Sequence, residues 1–140
     1  MKKVLLLMVL ILVVGVSSVK AVDSYELFWP MVAGKTTADG FVYKLKILKE
    51  DVRGYLIFGP VQKADYHVFR AAKRLLEAEK LLLDKKDSLA QTTLDKTLMH
   101  LSAAKRGSEN IKTLATDMAL MYKDKTEVAK KLQEISQFAP

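Results

Sequence analysis

The chain has no cysteine. That excludes disulfides, thiol chemistry and anchoring through a lipidated cysteine together. A domain without disulfides must hold itself by its core. A length of 140 residues allows one such core and not comfortably two. Imidazole is nearly as scarce. His67 and His100 are the only histidines, and neither stands four residues from another. A structural metal site wants four ligands, so each is expected to be a half-exposed helix histidine. No metal and no other cofactor is expected. Long blocks of like charge are also missing. Nucleic-acid binding wants a concentrated basic face with aromatic or arginine readers, so no nucleic-acid partner is expected.

Catalytic patterns are missing too. No serine or threonine stands in a recognisable base-and-oxyanion setting. Paired carboxylates such as Glu50 and Asp51 lie among lysines, as on a solvated helix. Ala33-Gly34-Lys35-Thr36 tempts a phosphate-loop interpretation. That motif needs a glycine five positions before Gly34, and Trp29 stands there. The protein is expected not to be an enzyme, with no small-molecule substrate evident.

What is present begins with an address. Lys2 and Lys3 precede an apolar run over residues 4–16, VLLLMVLILVVGV. The run has the length of a signal-peptide core and is short for a span of ~20 residues. Val19-Lys20-Ala21 follows. Residues 1–21 are therefore expected to be a signal peptide cleaved after Ala21, and the protein to be exported: extracellular, periplasmic or on the cell surface. The alternative is an uncleaved anchor, in which case this segment alone would contact the membrane. The whole chain carries +7; losing Lys2, Lys3 and Lys20 leaves 20 basic and 16 acidic residues, a mild +4.

Residues 22–40 form an irregular aromatic lead-in with Tyr25, Phe28 and Trp29. Its sticky residues are candidates for partner binding, the simpler alternative being a lid on the helices. Residues 41–140 are expected to be one helical domain. Phe41, Leu45, Leu48, Val52 and Tyr55/Leu56 form one apolar stripe on a first helix over residues 41–58, with Asp39 as N-cap. Pro60 opens a central helix whose stripe is Val61, Ala64, Val68, Ala72, Leu75 and Leu82. Phe69, Leu76 and Leu83 widen it. Ser88 and Gln91 suggest a capping box for a third helix. Its seam runs through Leu94, Leu98, Leu101, Ser108, Ile111, Leu114, Met118, Met121, Val128, Leu132 and Ile135, with Lys105 and Lys125 filling the gaps.

The fold class is all-α: an antiparallel bundle of three to four helices, with a short first helix, a long central hairpin and a C-terminal helix or helix extension. With the hairpin turn centred near Asp87 and Ser88, Phe69 faces Lys105 and Gly107, and Glu79 faces Lys96. His67 faces Ser108, and His100 faces Leu75 and Leu76. The third helix then outruns its partner near Ala115. Its remaining stripe folds back, with Asp124 and Glu127 capping a new helix, or is offered to another molecule. Met118, Met121, Val128 and Leu132 are thus candidates for contact with a protein partner or for self-association.

The segment from Tyr43 to Glu79 also carries a resemblance. Val42-Tyr43-Lys44-Leu45-Lys46, Leu48-Lys49-Glu50-Asp51-Val52-Arg53, Gly59-Pro60, Lys63-Ala64, His67 and Lys73-Arg74-Leu75-Leu76-Glu77-Ala78 resemble the domain of unknown function 5667. Phe41 and Lys44 replace the prolines of that family's entry motif, and Gly59 replaces its acidic cap. The resemblance implies a helical fold and an exported or envelope location. It implies no activity. It places Glu50, Arg53, Arg74 and Glu77 in charged contacts between the first two helices. The function is unknown from sequence; a non-catalytic exported domain acting by protein–protein contact in the cell envelope is expected. The alternative is an envelope stress or chaperone-like binding protein.

Overall fold

Gly59 and Pro60 divide the first helix from the second. The computed structural model describes residues 40–138; the expected signal peptide and the lead-in with Tyr25, Phe28 and Trp29 lie outside the described residues. Helix α1 spans Phe41–Tyr55 and α2 spans Pro60–Leu83. Gly59 has φ +102°, a conformation open mainly to glycine, and a Cβ there would also meet Gln62 Oε1 at 2.3 Å. Pro60 follows at the first helical position, where no N–H is required.

Helix α2 ends in a Schellman motif. Lys86 N–H donates to Leu81 O at 2.8 Å and Lys85 N–H to Leu82 O at 3.1 Å. Lys85 takes the left-handed position, φ 60°, where glycine is usual. Helix α3 then spans Asp87–Ala104. It begins at the N-cap Lys86, so Ser88 lies inside the first turn and forms no capping box.

The expected long third helix is three helices. Helix α3 stops where Lys105 turns left-handed, φ 53°. Helix α4 spans Glu109–Met121 and α5 spans Thr126–Ser136. The break at residues 105–108 coincides with Gly107 and with the extended N-cap Ser108, φ −137°. The second break bends the chain back, as one of the two sequence alternatives has it, although α5 is preceded by Lys125 and carries no side-chain cap. The domain therefore has five helices among its described residues and no strand.

Helices α2 and α3 pack as the hairpin, α4 packs on α5, α5 on α3, and α4 on α2. Their common core contains Leu75, Leu81, Leu94, Leu101, Ile111, Met118, Val128, Leu132 and Ile135. Ion pairs Lys125–Asp87 and Lys131–Asp95 tie α5 to α3 at the surface. Two expectations about the hairpin are corrected. The turn lies at residues 84–86, ahead of Asp87, so facing residues are shifted. Gly107 meets Phe138 and Lys112, not Phe69, and His67 lies against His100.

Helix α1 is not among these closely packed pairs. Its apolar stripe turns away from the bundle. Leu45, Leu48, Val52 and Leu56 are each more than half exposed, and Tyr55 is 85 % exposed. Tyr43 and Glu50 on the opposite face are buried. The ordinary rule that the apolar face packs inward is inverted here, and the charged cluster beneath the helix explains why.

Candidate functional site

Arg74 sits in the middle of α2 and is fully buried. A buried guanidinium requires acceptors around its fork. Helix α1 supplies two of them. Arg74 Nη1 donates to the Tyr43 hydroxyl at 2.9 Å, and Nη2 donates to the Glu50 carboxylate. The third acceptor, Glu77, lies one helical turn further along α2. Both carboxylates are buried as well. Each accepts from a second cation: Glu50 from Lys73 and Glu77 from Lys46.

The cluster widens along the seam. Arg70 Nη2 pairs with Asp51 at 2.8 Å, and its Nε lies 3.9 Å from Glu50. The Tyr66 hydroxyl donates to the Glu50 carbonyl oxygen at 2.7 Å. Gly54 makes room for the Tyr66 ring, which lies 3.3 Å from where a Cβ would stand. Tyr43, Ile47, Glu50 and Gly54 recur at helical spacing, so one face of α1 is built to meet α2. Leu45, Leu48, Val52 and Leu56 recur at helical spacing on the opposite face.

The electrostatics follow from this burial. Burial pushes the Tyr43 phenol up to about 12, with Arg74 opposing and Glu77 adding to the shift. Burial lowers the Arg74 pKa, but Glu77 and Glu50 outweigh it and raise the value overall. Tyr66 is raised, chiefly by burial. These shifts keep Arg74 charged and the phenols of Tyr43 and Tyr66 neutral at neutral pH.

Beside the cluster a pocket of about 460 Å³ opens between α1, α2 and α3. Its polar lining is Asp51, His67, Arg70, Arg74, Lys96 and His100. His67 Nδ1 and His100 Nδ1 are 3.3 Å apart, so one ring donates and the other accepts. Both pKa values are lowered, mainly by burial and then by Arg70, and His100 falls to about 3. Lys96 lies over the Tyr43 ring, 5.4 Å from its centre. Among the described residues no group of three histidine, cysteine or acidic side chains is placed to hold a metal.

The charged residues singled out in the sequence separate into two sets. Glu50, Arg74 and Glu77 come together. Arg53 stands apart, exposed, 5.9 Å from the centre of the Tyr66 ring. The candidate partner residues of the C-terminal stripe need correction. Met118 and Val128 are 1 % exposed and Leu132 is 0 % exposed, so they fill the core and cannot meet another molecule. Met121 alone of that set reaches the surface. Sequence reasoning missed Tyr43, Lys46, Arg70 and Lys73. The available signal was a tyrosine and a glutamate seven residues apart on the charged face of an otherwise greasy helix.

The model of the family described as Domain of unknown function (DUF5667) matches residues 35–138, from before α1 to the end of the described chain. None of the curated proteins and none of the solved structures compared matches the chain. The match takes in α1, the charged cluster and the whole bundle, and the chain belongs to the DUF5667 family.

Proposed function

We propose that this is a non-catalytic helical domain that works by contact outside the cytoplasmic membrane, presenting the outward face of α1. The observation that carries the proposal is the inverted packing of α1. Its polar face is latched to Arg74 while Leu45, Leu48, Val52, Tyr55 and Leu56 are left open. Leaving such side chains in water gives up roughly 1.5–3 kcal/mol each relative to full burial. A large exposed apolar patch marks a contact surface. The protein contact expected through the C-terminal stripe moves to α1, because that stripe is core. Export rests on the apolar run at residues 4–16 and its cleavage signal.

The cysteine-free sequence makes the test direct. A single cysteine at Leu48 is expected to react quickly with a maleimide in the purified protein and slowly in an intact envelope preparation. A single cysteine at Leu120, exposed on α4, should react equally in both. Equal rates at both positions in both preparations would overturn the proposal. The chaperone-like alternative calls for an open basic concavity. The pocket beside the histidines is basic, but Arg70 and Arg74 are already paired with Asp51, Glu50 and Glu77.

A further inference from the structure

We infer that the outward face of α1 docks on an anionic lipid surface. This rests on the reading of α1 as a presented contact face and goes on to name the partner's chemistry.

Three observations carry it. First, the exposed apolar surface is concentrated. Among the described residues, eight of the twelve exposed large hydrophobic side chains lie between Val42 and Val61, so α1 and the turn after it form one continuous patch. Second, the patch has a rim of one sign. Lys44 borders the stripe on one side, and Lys49 and Arg53 on the other; all three are exposed. Of the two acids of α1, Glu50 is buried against Lys73 and Arg74, and Asp51, 47 % exposed, pairs with Arg70. Among the described residues no ion pair holds Lys44 or Lys49. Third, the patch ends in Tyr55 and Phe58, both more than 80 % exposed. An apolar stripe with basic flanks and aromatic side chains at one end is the pattern of a helix lying in the plane of a membrane interface.

Charge decides among the possible occupants. In an antiparallel two-fold pairing of α1 with a second copy, like sides of the stripe come together, so the Lys49 and Arg53 side of one chain would meet the Lys49 and Arg53 side of the other. On that side of the stripe no acid of α1 offsets the repulsion, since Asp51 lies on the Lys44 side and pairs with Arg70. An anionic bilayer supplies the missing negative charge and accepts the stripe without a matching groove. Among the described residues no helix is long and apolar enough to cross a membrane, so the contact is one of lying on the surface.

The test uses the full chain with a reporter on α1. Residues 4–16 can themselves bring the chain to vesicles, so flotation alone is not the readout. In the variant Trp29→Phe/Leu48→Trp the sole tryptophan sits on the stripe. Emission is followed with phosphatidylcholine vesicles, with and without phosphatidylglycerol, using brominated acyl chains as quencher. The expected result is a blue shift and quenching at position 48 in anionic vesicles. Half-maximal lipid concentration should rise about tenfold in high salt or in Lys44→Gln/Lys49→Gln/Arg53→Gln. A tryptophan at Leu120 should stay unquenched.

Three outcomes overturn the inference. If position 48 is open to aqueous acrylamide and lipid leaves it unchanged, a presented face remains but its partner is not lipid. If it is shielded before lipid is added, independently of concentration, the chain's own lead-in covers the stripe. Shielding that grows with protein concentration means a second copy covers it. In the latter two cases the idea that α1 presents a free face fails as well.

Discussion

The Nδ1 atoms of His67 and His100 lie 3.3 Å apart, a distance that holds with one proton between them and not with two. Arg70 and Arg74 stand in the same pocket, and Asp51 is the carboxylate there. Protonating either ring therefore adds charge to a site that is already cationic.

Stability is accordingly expected to depend on acid in a particular window. Both histidines are lowered in the folded chain, and His100 is lowered from 6.5 to about 3, chiefly by burial. The unfolded chain binds these protons near pH 6.5 while the folded chain does not. Stability is then complete above that value and falls as pH drops through 6.5 towards 3. The loss should be about 1 kcal/mol per pH unit between pH 6 and 5. Urea midpoints at pH 7 and pH 5 would measure it, and His100→Leu should shrink the difference. An unchanged difference in that variant would assign the loss to other groups.

Arg74 joins α1 to the bundle, while the apolar core lies elsewhere. Arg74→Met leaves two buried carboxylates short of their shared partner and should cost about 3–5 kcal/mol. The damage should also be local. Hydrogen exchange is expected to rise across Phe41–Tyr55 while amides around Leu94, Ile111 and Leu132 stay protected. Uniform loss of protection would show that latch and core are one cooperative unit.

Two positive-φ positions should respond in opposite directions. Lys85 occupies the left-handed slot of the Schellman motif at φ 60°, so Lys85→Gly should stabilise by roughly 0.5–1 kcal/mol. Gly59→Ala forces a side chain into φ +102° and should cost about 1–3 kcal/mol. Melting temperatures of the two variants, one raised and one lowered, are the check.

Met118 and Met121 separate core from surface on one helix. Met118 is 1 % exposed and Met121 is 66 % exposed. Met118→Ala should cost about 2–5 kcal/mol at every protein concentration, and Met121→Ala under about 0.5 kcal/mol. A Met118→Ala effect that varied with concentration would return that residue to an interface.

The sequence conveyed periodicity well and direction poorly. The Gly59-Pro60 junction was readable because each residue has a backbone property no other supplies. The hairpin was readable from its polar turn, but its centre was misjudged by a few residues, and a small shift re-pairs every side chain across a helix interface. The shift alone decides whether His67 meets Ser108 or His100. The stop at Lys105 was invisible, since lysine has no preference for the left-handed region and tertiary packing imposed it. On α1 two faces share the helical period. Periodicity alone points the apolar one inward, whereas only the family resemblance brings Glu50, Arg74 and Glu77 together.

Oily contacts between helices tolerate rolling, because one methyl group substitutes for another. Paired charges do not. Rotating α1 by a single residue would carry Tyr43 and Glu50 away from Arg74 and leave that buried cation with Glu77 alone. The cluster thus works as an alignment pin. It keeps the domain from burying its own apolar stripe, and an otherwise self-satisfied bundle keeps one side open.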